Sequence, residues 1–574
     1  MPVYIAFATF LLAVSWLLPL HFPPWISWHL ELLAFVSTVV LSGGLIVRLL
    51  HRRQALIKFP IPALPILALA ALAVMQSSLG YIAQYGDAVV LVLYAALCIA
   101  SMAIGYNSVE GEQTDFGSPL NRRPTGSALE MLAALILVGA VISSIFAFVQ
   151  VLDVWPTTSL ISQVGTLRRP GGNLAQPNQL ATLLLMGIAS LIFLFESRRV
   201  KCATVLLVVV VLIAALVITE SRTGALGLCL LVLWWLAKRR PGGFRVSFWA
   251  VFSGLLLFFL CASLWPRLFL LLYPLGFEPL VNGAASVNTS PGLRLVVWPQ
   301  LVDAMMLHPW LGWGLNQVPK AHNAVAHAYQ VSEPYSYSHN VLLDLALGMG
   351  LPLTIILVGV TCIWLWRRIK ATQSLEPWFC VALMLPFALH SMLEFPHTYS
   401  YFLAPIAFAL GAFERLTSRG TVIRISARWV AGVSLALTLV GAWTVVEYVA
   451  IEEDFRVARF EALKVGETPV DYVRPHVILL TQLGVLVDGA RIVPRPSMTP
   501  DELELARAAA LRYPSTATQN RYAMSLALNG HSDEAVRQMK VIRALHGPGF
   551  YAAIKANWIA RAKEYPQLSA VPIP

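Results

Sequence analysis

Charge is what this sequence has least of. Asp, Glu, Lys and Arg supply 12% of its 574 residues and hydrophobic side chains 57%, whereas soluble proteins carry roughly 25% charged residues. A soluble globular chain is excluded and a polytopic membrane protein is expected. Paired cysteines are missing too. Cys98, Cys202, Cys229, Cys261, Cys362 and Cys380 lie singly in or beside apolar runs, so neither a disulfide framework nor a C-x-x-C metal site follows. Met1 to Leu20 has no basic leading segment and no small-residue cleavage site, and is expected to be a retained first span rather than a signal peptide. The net charge of +11 raises nucleic acid as a partner. Membrane topology explains it better, and no nucleic-acid partner is expected.

What is present is apolar sequence in lengths that suit a bilayer. With about 20 residues needed per span, thirteen runs can be counted, near 3–20, 30–50, 61–79, 87–106, 128–152, 177–195, 202–219, 223–237, 247–265, 340–366, 377–393, 399–414 and 427–450. Of 41 Lys and Arg, 20 fall in alternate loops on the side of the N-terminus, six fall on the other side, and 15 follow Ala450. Positive charge stays in the cytoplasm, so the N-terminus is expected inside and the C-terminus outside. Residues 1–150 are expected to be N-terminal membrane helices. Residues 151–450 form a membrane core with a long outer loop at 266–339, and 451–574 an outer helical domain. In that tail 501–513 and 518–545 read as helices. Asn529-Gly530-His531 before Ser532-Asp533-Glu534-Ala535 reads as a Gly turn and a Ser-capped second helix, a single tetratricopeptide-type hairpin. The expected fold class is an all-α polytopic membrane protein of about 13 transmembrane helices with a small C-terminal, TPR-like domain.

The cation-poor outer side keeps a few Arg residues in recognisable settings. Arg222 sits between two apolar runs with almost no loop, where an unpartnered Arg is costly. It either pairs with Glu220 or meets an anionic ligand, since guanidinium suits phosphate oxygens. Arg294 opens an amphipathic stretch through Trp298 to Met306, and either snorkels to headgroups or joins Arg222 on a diphosphate, whose charge two Arg could neutralise without a metal. Arg168 and Arg169 precede Gly171-Gly172, which permit close backbone approach. Gln176-Pro177-Asn178-Gln179 then opens the sixth run, with Pro suited to a first helical turn. Tyr335-Ser336-Tyr337-Ser338-His339-Asn340 opens the run at 340–366, with His339 expected on the first helical turn. The helix N-terminus disfavours an imidazolium there, so a neutral His339 can take a proton from a hydroxyl, with Asn340 or a tyrosine fixing its tautomer. Alternatively, the hexapeptide is an aromatic interface belt. His322, His327, His390 and His397 compete with it and read as structural. A zinc site from His322, His327 and His339 has no recognised ligand spacing, and no metal or cofactor is expected.

Several of these stretches resemble the bacterial O-antigen ligase and polymerase superfamily. The most specific is Arg169-Pro170-Gly171-Gly172-Asn173-Leu174-Ala175-Gln176-Pro177-Asn178-Gln179 through Leu184, which is similar to the signature of its protein O-oligosaccharyltransferase branch. Ser221-Arg222-Thr223-Gly224, Gly292-Leu293-Arg294 with His308-Pro309-Trp310, Ser338-His339-Asn340 and the turn Glu394 to Phe402 fit the wider pattern. The resemblance runs through about 165–450; residues 1–150 contribute span count only. It implies a multi-pass protein of the bacterial inner membrane that moves an oligosaccharide from an undecaprenyl-diphosphate lipid to an acceptor hydroxyl in the periplasm. The acceptors would be periplasmic or pilin-like proteins. It further implies His339 as base or acceptor-positioning residue, and Arg222 and Arg294, with Arg168 and Arg169 beside them, on the donor diphosphate. Gln176, Asn178, Asn340, Glu394 and one of Tyr399 and Tyr401 would position substrate. Leu347 stands where many relatives carry Glu, which weakens a carboxylate role on that turn. Competing readings are a lipid A-core O-antigen ligase, an O-antigen polymerase, or a transporter, which would show mid-span polar residues and internal repeats.

Overall fold

The computed structural model describes residues 2–51, 56–109, 127–152, 159–163, 169–272, 294–418 and 422–573. Each of the thirteen apolar runs coincides with helix, because in hydrocarbon only a helix satisfies every backbone polar group within one segment. The first nine are α1 (Val3–Leu17), α2 (Trp28–His51), α3 (Ala63–Ser78), α4 (Tyr85–Ser108), α5 (Ala128–Leu152), α6 (Pro177–Glu196), α7 (Cys202–Ile218), α8 (Arg222–Gly242) and α9 (Phe248–Leu272). There follow α10 (Arg294–Leu307), α11 (Val318–Ala326), α12 (Val341–Met349), α13 (Leu351–Ala371), α14 (Leu375–Ser391), α15 (Ser400–Thr417) and α16 (Ala427–Leu463). The tail holds α17 (Thr481–Ala490), α18 (Pro500–Arg512), α19 (Thr516–Leu528) and α20 (Ser532–Ala562). Seven of them, α2, α4, α5, α6, α9, α13 and α16, have the length and composition to cross a bilayer.

Three sequence expectations change. The run at 340–366 is two helices, broken at Gly350, whose φ of +81° and contact with the Trp310 carbonyl leave no room for a Cβ. The span-length helix starts at Leu351, and the short α12 precedes it. The last run continues as α16 to Leu463, well past Ala450. Ser532 does not cap α20: the N-cap is His531, which makes no side-chain cap bond. The capping boxes of the tail lie instead at Thr499/Glu502 and Ser515/Thr518. Sequence reading also missed a two-stranded antiparallel sheet, β1 (Leu56–Phe59) on β2 (Ile423–Ser426), between two of the basic loops.

The chain forms two compact units. The first comprises Met1–Leu67, Tyr94–Thr289 and Thr361–Thr438, and the second Ala68–Leu93, Ser290–Val360 and Leu439–Pro574. In the first, α6 is the centre. Every residue from Gln179 to Leu191 is buried, packed against α5, α7, α8 and α14. A helix apolar all round belongs in the interior, and the stacked Phe193 and Phe379 rings, 4.2 Å apart, seal it on α14. Partly buried ion pairs, Arg199–Glu130 at 3.0 Å and Arg368–Glu414 at 2.8 Å, lie near its basic loops. In the second unit, α10, α11 and α12 share a small core of Val297, Leu301, Ala321 and Leu347. In its tail, α18, α19 and α20 interleave small buried residues, among them Ala506, Ala510, Ala523, Ala527 and Ala535.

Candidate functional site

Residues singled out from the sequence collect within each unit. In the first, the segment before α6 is fixed by backbone-directed amides. Gln150 donates to the Gly172 carbonyl at 3.0 Å and accepts from its N–H at 2.8 Å. Asn173 donates to the carbonyls of Leu17 at 2.6 Å and Leu160 at 2.9 Å. Gly171 must be glycine, because a Cβ there would run into the backbone of Ala175 and Gln176. Gln176 is the N-cap of α6, its Oε1 accepting from the Gln179 N–H at 2.6 Å, and Pro177 follows at the first helical position. Arg168 lies outside the described residues.

Asn178 then ties this helix start to another. Ser221 caps α8 by accepting from the Gly224 N–H at 2.9 Å, and donates its Oγ hydrogen to Asn178 Oδ1 at 2.7 Å. Arg222 is the first residue of α8 and is exposed. Two helix N-termini, each carrying partial positive charge, therefore converge. Arg169 adds a guanidinium whose Nε donates to the Thr219 carbonyl at 2.8 Å. Burial lowers the Arg169 pKa, and Glu220, Arg222 and Glu394 all lie within its electrostatic reach. Opposite, Glu394 Oε1 accepts from Asn178 Nδ2 at 3.5 Å. Converging helix N-termini beside guanidinium groups are the kind of surroundings that favour an anion.

The two tyrosines separate clearly. Tyr401 is fully buried and its hydroxyl donates to Gln179 Oε1 at 2.8 Å. Tyr399 is partly exposed and stacks on Tyr401 with ring centroids 5.3 Å apart. Tyr401 orders the core below the site; Tyr399 is the one in reach of solvent. His390 shares a buried 2.8 Å hydrogen bond with Thr182, and burial pushes the His397 imidazole down to about 4. Ser221 and Gln179 lie in motifs singled out from the sequence, but no individual role was expected of either. Their only signal was position, one residue before a helix and one turn into another.

In the second unit, α10 starts at Arg294, as expected. One turn on, Trp298 Nε1 donates to the Ser338 carbonyl at 2.7 Å. The Ser338 N–H donates to Asp344 Oδ1 at 2.7 Å, and Ser338 Oγ bonds both the N–H and the carbonyl of Asn340, at 3.2 and 2.8 Å. Asn340 is the N-cap of α12, its Oδ1 accepting from Leu342 and Leu343. His339 therefore stands one residue before the cap, not on the first helical turn. Its φ of +60° is a left-handed conformation that a non-glycine residue holds only when its surroundings over-determine it. The Tyr335 ring packs against it at 4.6 Å between centroids. A carboxylate does serve this turn, Asp344 rather than the residue at 347, and burial raises its carboxyl to about 6. Its position on α12 lies outside the span-length helix. His322 is committed to Gln300 Oε1 and Ser332 Oγ, both at 3.0 Å. It is structural.

The comparisons with known proteins point to the class of membrane glycan-transfer ligases. Residues 207–358 match the family described as O-antigen ligase, 170–195 protein glycosylation ligase, and 378–559 the C-terminal part of virulence factor membrane-bound polymerase. A general O-oligosaccharyltransferase of Acinetobacter baylyi is 24% identical over 93% of this chain and 91% of its own length. A ComP-specific O-oligosaccharyltransferase of the same organism is 31% identical over 42% of this chain and 43% of its own. These matches put the chain on the protein O-oligosaccharyltransferase branch of the O-antigen ligase and polymerase superfamily.

Proposed function

We propose that this enzyme of O-linked protein glycosylation transfers a preassembled oligosaccharide en bloc from undecaprenyl-diphosphate to Ser or Thr hydroxyls of periplasmic or pilin-like proteins. The single observation that carries the donor half is the Asn178–Ser221 bond joining the N-termini of α6 and α8 beside Arg169 and Arg222. A lipid diphosphate is a good leaving group that needs its charge neutralised rather than protonated, and fixed guanidinium and N–H dipoles do this without reorganising. Arg222 and Arg294, with Arg168 and Arg169, hold the diphosphate. The acceptor oxygen attacks the anomeric carbon, the bond from that carbon to the phosphate oxygen breaks, and the lipid diphosphate leaves with the electron pair. The acceptor proton passes to His339, which Tyr335, Asn340 and Asp344 position. Gln176, Asn178, Glu394 and Tyr399 shape the substrate site.

In this reading the thirteen runs cross the membrane, the run at 340–366 through α13 alone, the N-terminus is cytoplasmic, and the site and the TPR-like tail face the periplasm of the inner membrane. The charge asymmetry of the loops supports it. Activity is metal-independent, so transfer should persist in chelator; inhibition that added metal restores would overturn that part. Mass spectrometry of periplasmic proteins with and without the gene tests the acceptor. Loss of O-linked glycan on Ser or Thr is expected, whereas loss of lipopolysaccharide O-chain alone would replace this acceptor with lipid A-core.

A further inference from the structure

The tail helices carry a buried charge pair that the transfer chemistry does not use. Arg512, the last residue of α18, grips Asp87 in the first turn of α4 with two hydrogen bonds, Nη2 to Oδ1 at 2.9 Å and Nε to Oδ2 at 3.1 Å. Asp87 is 2% exposed. Gln317, at the start of α11, donates to the same carboxylate at 3.4 Å. The guanidinium also lies over the Tyr513 ring, 5.3 Å from its centroid, and Tyr337, two residues before His339, is within electrostatic reach of both Arg512 and Tyr513. A bidentate, desolvated pair of this kind is strong in geometry and intolerant of losing one partner.

Other contacts within this unit run the same way. Asn323 of α11 and Gln538 of α20 exchange two amide hydrogen bonds at 3.3 Å. The Ser332 N–H donates to the Ala544 carbonyl at 2.8 Å, and Ala326 is buried with Val541 and Leu545. Gln76 braces the far side, donating to the Gly348 carbonyl and accepting from the Leu315 N–H, both at 2.8 Å. The chain from α11 to Ser332, three residues before Tyr335, is thus held at several points by α20, more than two hundred residues later in sequence. The turn itself keeps a left-handed non-glycine residue, which needs such support.

We propose that Arg512 is a positioning residue: through Asp87 and Gln317 it fixes α11 and makes the C-terminal helices a latch that holds the Tyr335–Asn340 turn, and so His339, in its working geometry. This rests on the reading of His339 as the transfer base. The tail is then a part of the catalytic apparatus and not an appended module. Misplacing a catalytic group by about 1 Å can cost on the order of 100-fold in rate.

The test uses the full chain in lipid nanodiscs with a lipid-diphosphate-linked oligosaccharide and a protein acceptor, comparing wild type, R512M, R512K, Q538A and H339A. R512M is expected to lower kcat about 10- to 100-fold with KM for the donor nearly unchanged, and R512K to recover part of it. Hydrogen exchange by mass spectrometry should show residues 335–340 opening about 10-fold faster in R512M while the spans stay protected. Q538A, a milder cut of the same latch, should raise exchange in the same segment by less. Wild-type kcat and wild-type exchange at 335–340 in R512M would overturn the latch, as would exchange that rises evenly across the tail with kcat unchanged. An active H339A would instead overturn the base reading, while the exchange result still decides whether the latch exists.

Discussion

The two polar regions are built in opposite ways. The Gln176–Arg222 region rests on helices packed on every side, and its side chains bond one another across long stretches of sequence, as Tyr401 does with Gln179. The His339 region is a short turn in which Ser338, Asn340 and Asp344 bond one another over a few residues of sequence, under backbone strain. Fixed charge for a leaving group gains from rigidity, because dipoles that need no reorganisation stabilise developing charge best. A residue that must meet varied hydroxyl acceptors gains from a local turn that a few contacts can aim.

The sharpest way to break this contrast is at His339. His339→Ala should reduce transfer about 100- to 10,000-fold, the range of general-base contributions, with membrane insertion and melting temperature unchanged. Normal transfer would end its role as base. Next, Arg222→Ala should cost about 100-fold in kcat/KM for the donor, like the loss of one charge-stabilising donor, with Arg222→Lys keeping part of it. Because Arg222 is exposed, a loss of stability without loss of activity would show that it merely supports the fold. Tyr401→Phe removes the partner of buried Gln179 Oε1 and should destabilise the protein by about 1–3 kcal/mol. Tyr399→Phe should leave stability intact, so equal melting shifts would erase the distinction drawn between them.

The regions should also answer pH with opposite signs. The His397 pKa falls to about 4 from 6.5 in the folded chain, so the stability it gives is present above about 6.5 and lost as pH drops toward 4. The Asp344 pKa rises to about 6 from 3.8, so its contribution is full below about 4 and lost as pH climbs through 6. Measured against wild type, His397→Gln should gain melting temperature as pH falls from 6.5 to 4, and Asp344→Asn as pH rises from 4 to 6. Parallel pH profiles for wild type and either variant would remove that group's role. Smallest is Thr499→Ala, which deletes a capping box in the tail. It should cost about 1 kcal/mol and leave transfer unchanged.

Much of this was legible in the residues. Apolar length alone puts helix at every run, since the bilayer permits little else. Pro177 announces a helix start by its chemistry, as Arg294 does by opening an amphipathic stretch, whereas Asn340 was not read as the cap it is. The break at Gly350 was hidden because α12 and α13 are equally apolar, and periodicity does not mark a bend between two apolar helices. Ser532 misled because a Ser before two acids suits the first turn as well as the cap.

What the sequence determined by itself is therefore local: which segments are helical, where they begin, which loops hold cations, and which short motifs are out of place on a cation-poor side. What only the tertiary structure decided is pairing at long range. It joins Asn178 to Ser221, Glu394 to Asn178, Tyr401 to Gln179 and Arg512 to Asp87, the last pair 425 residues apart. No local periodicity records such pairs. They follow from the way buried helices stack, since each buried polar group takes whichever partner packing brings within hydrogen-bonding distance.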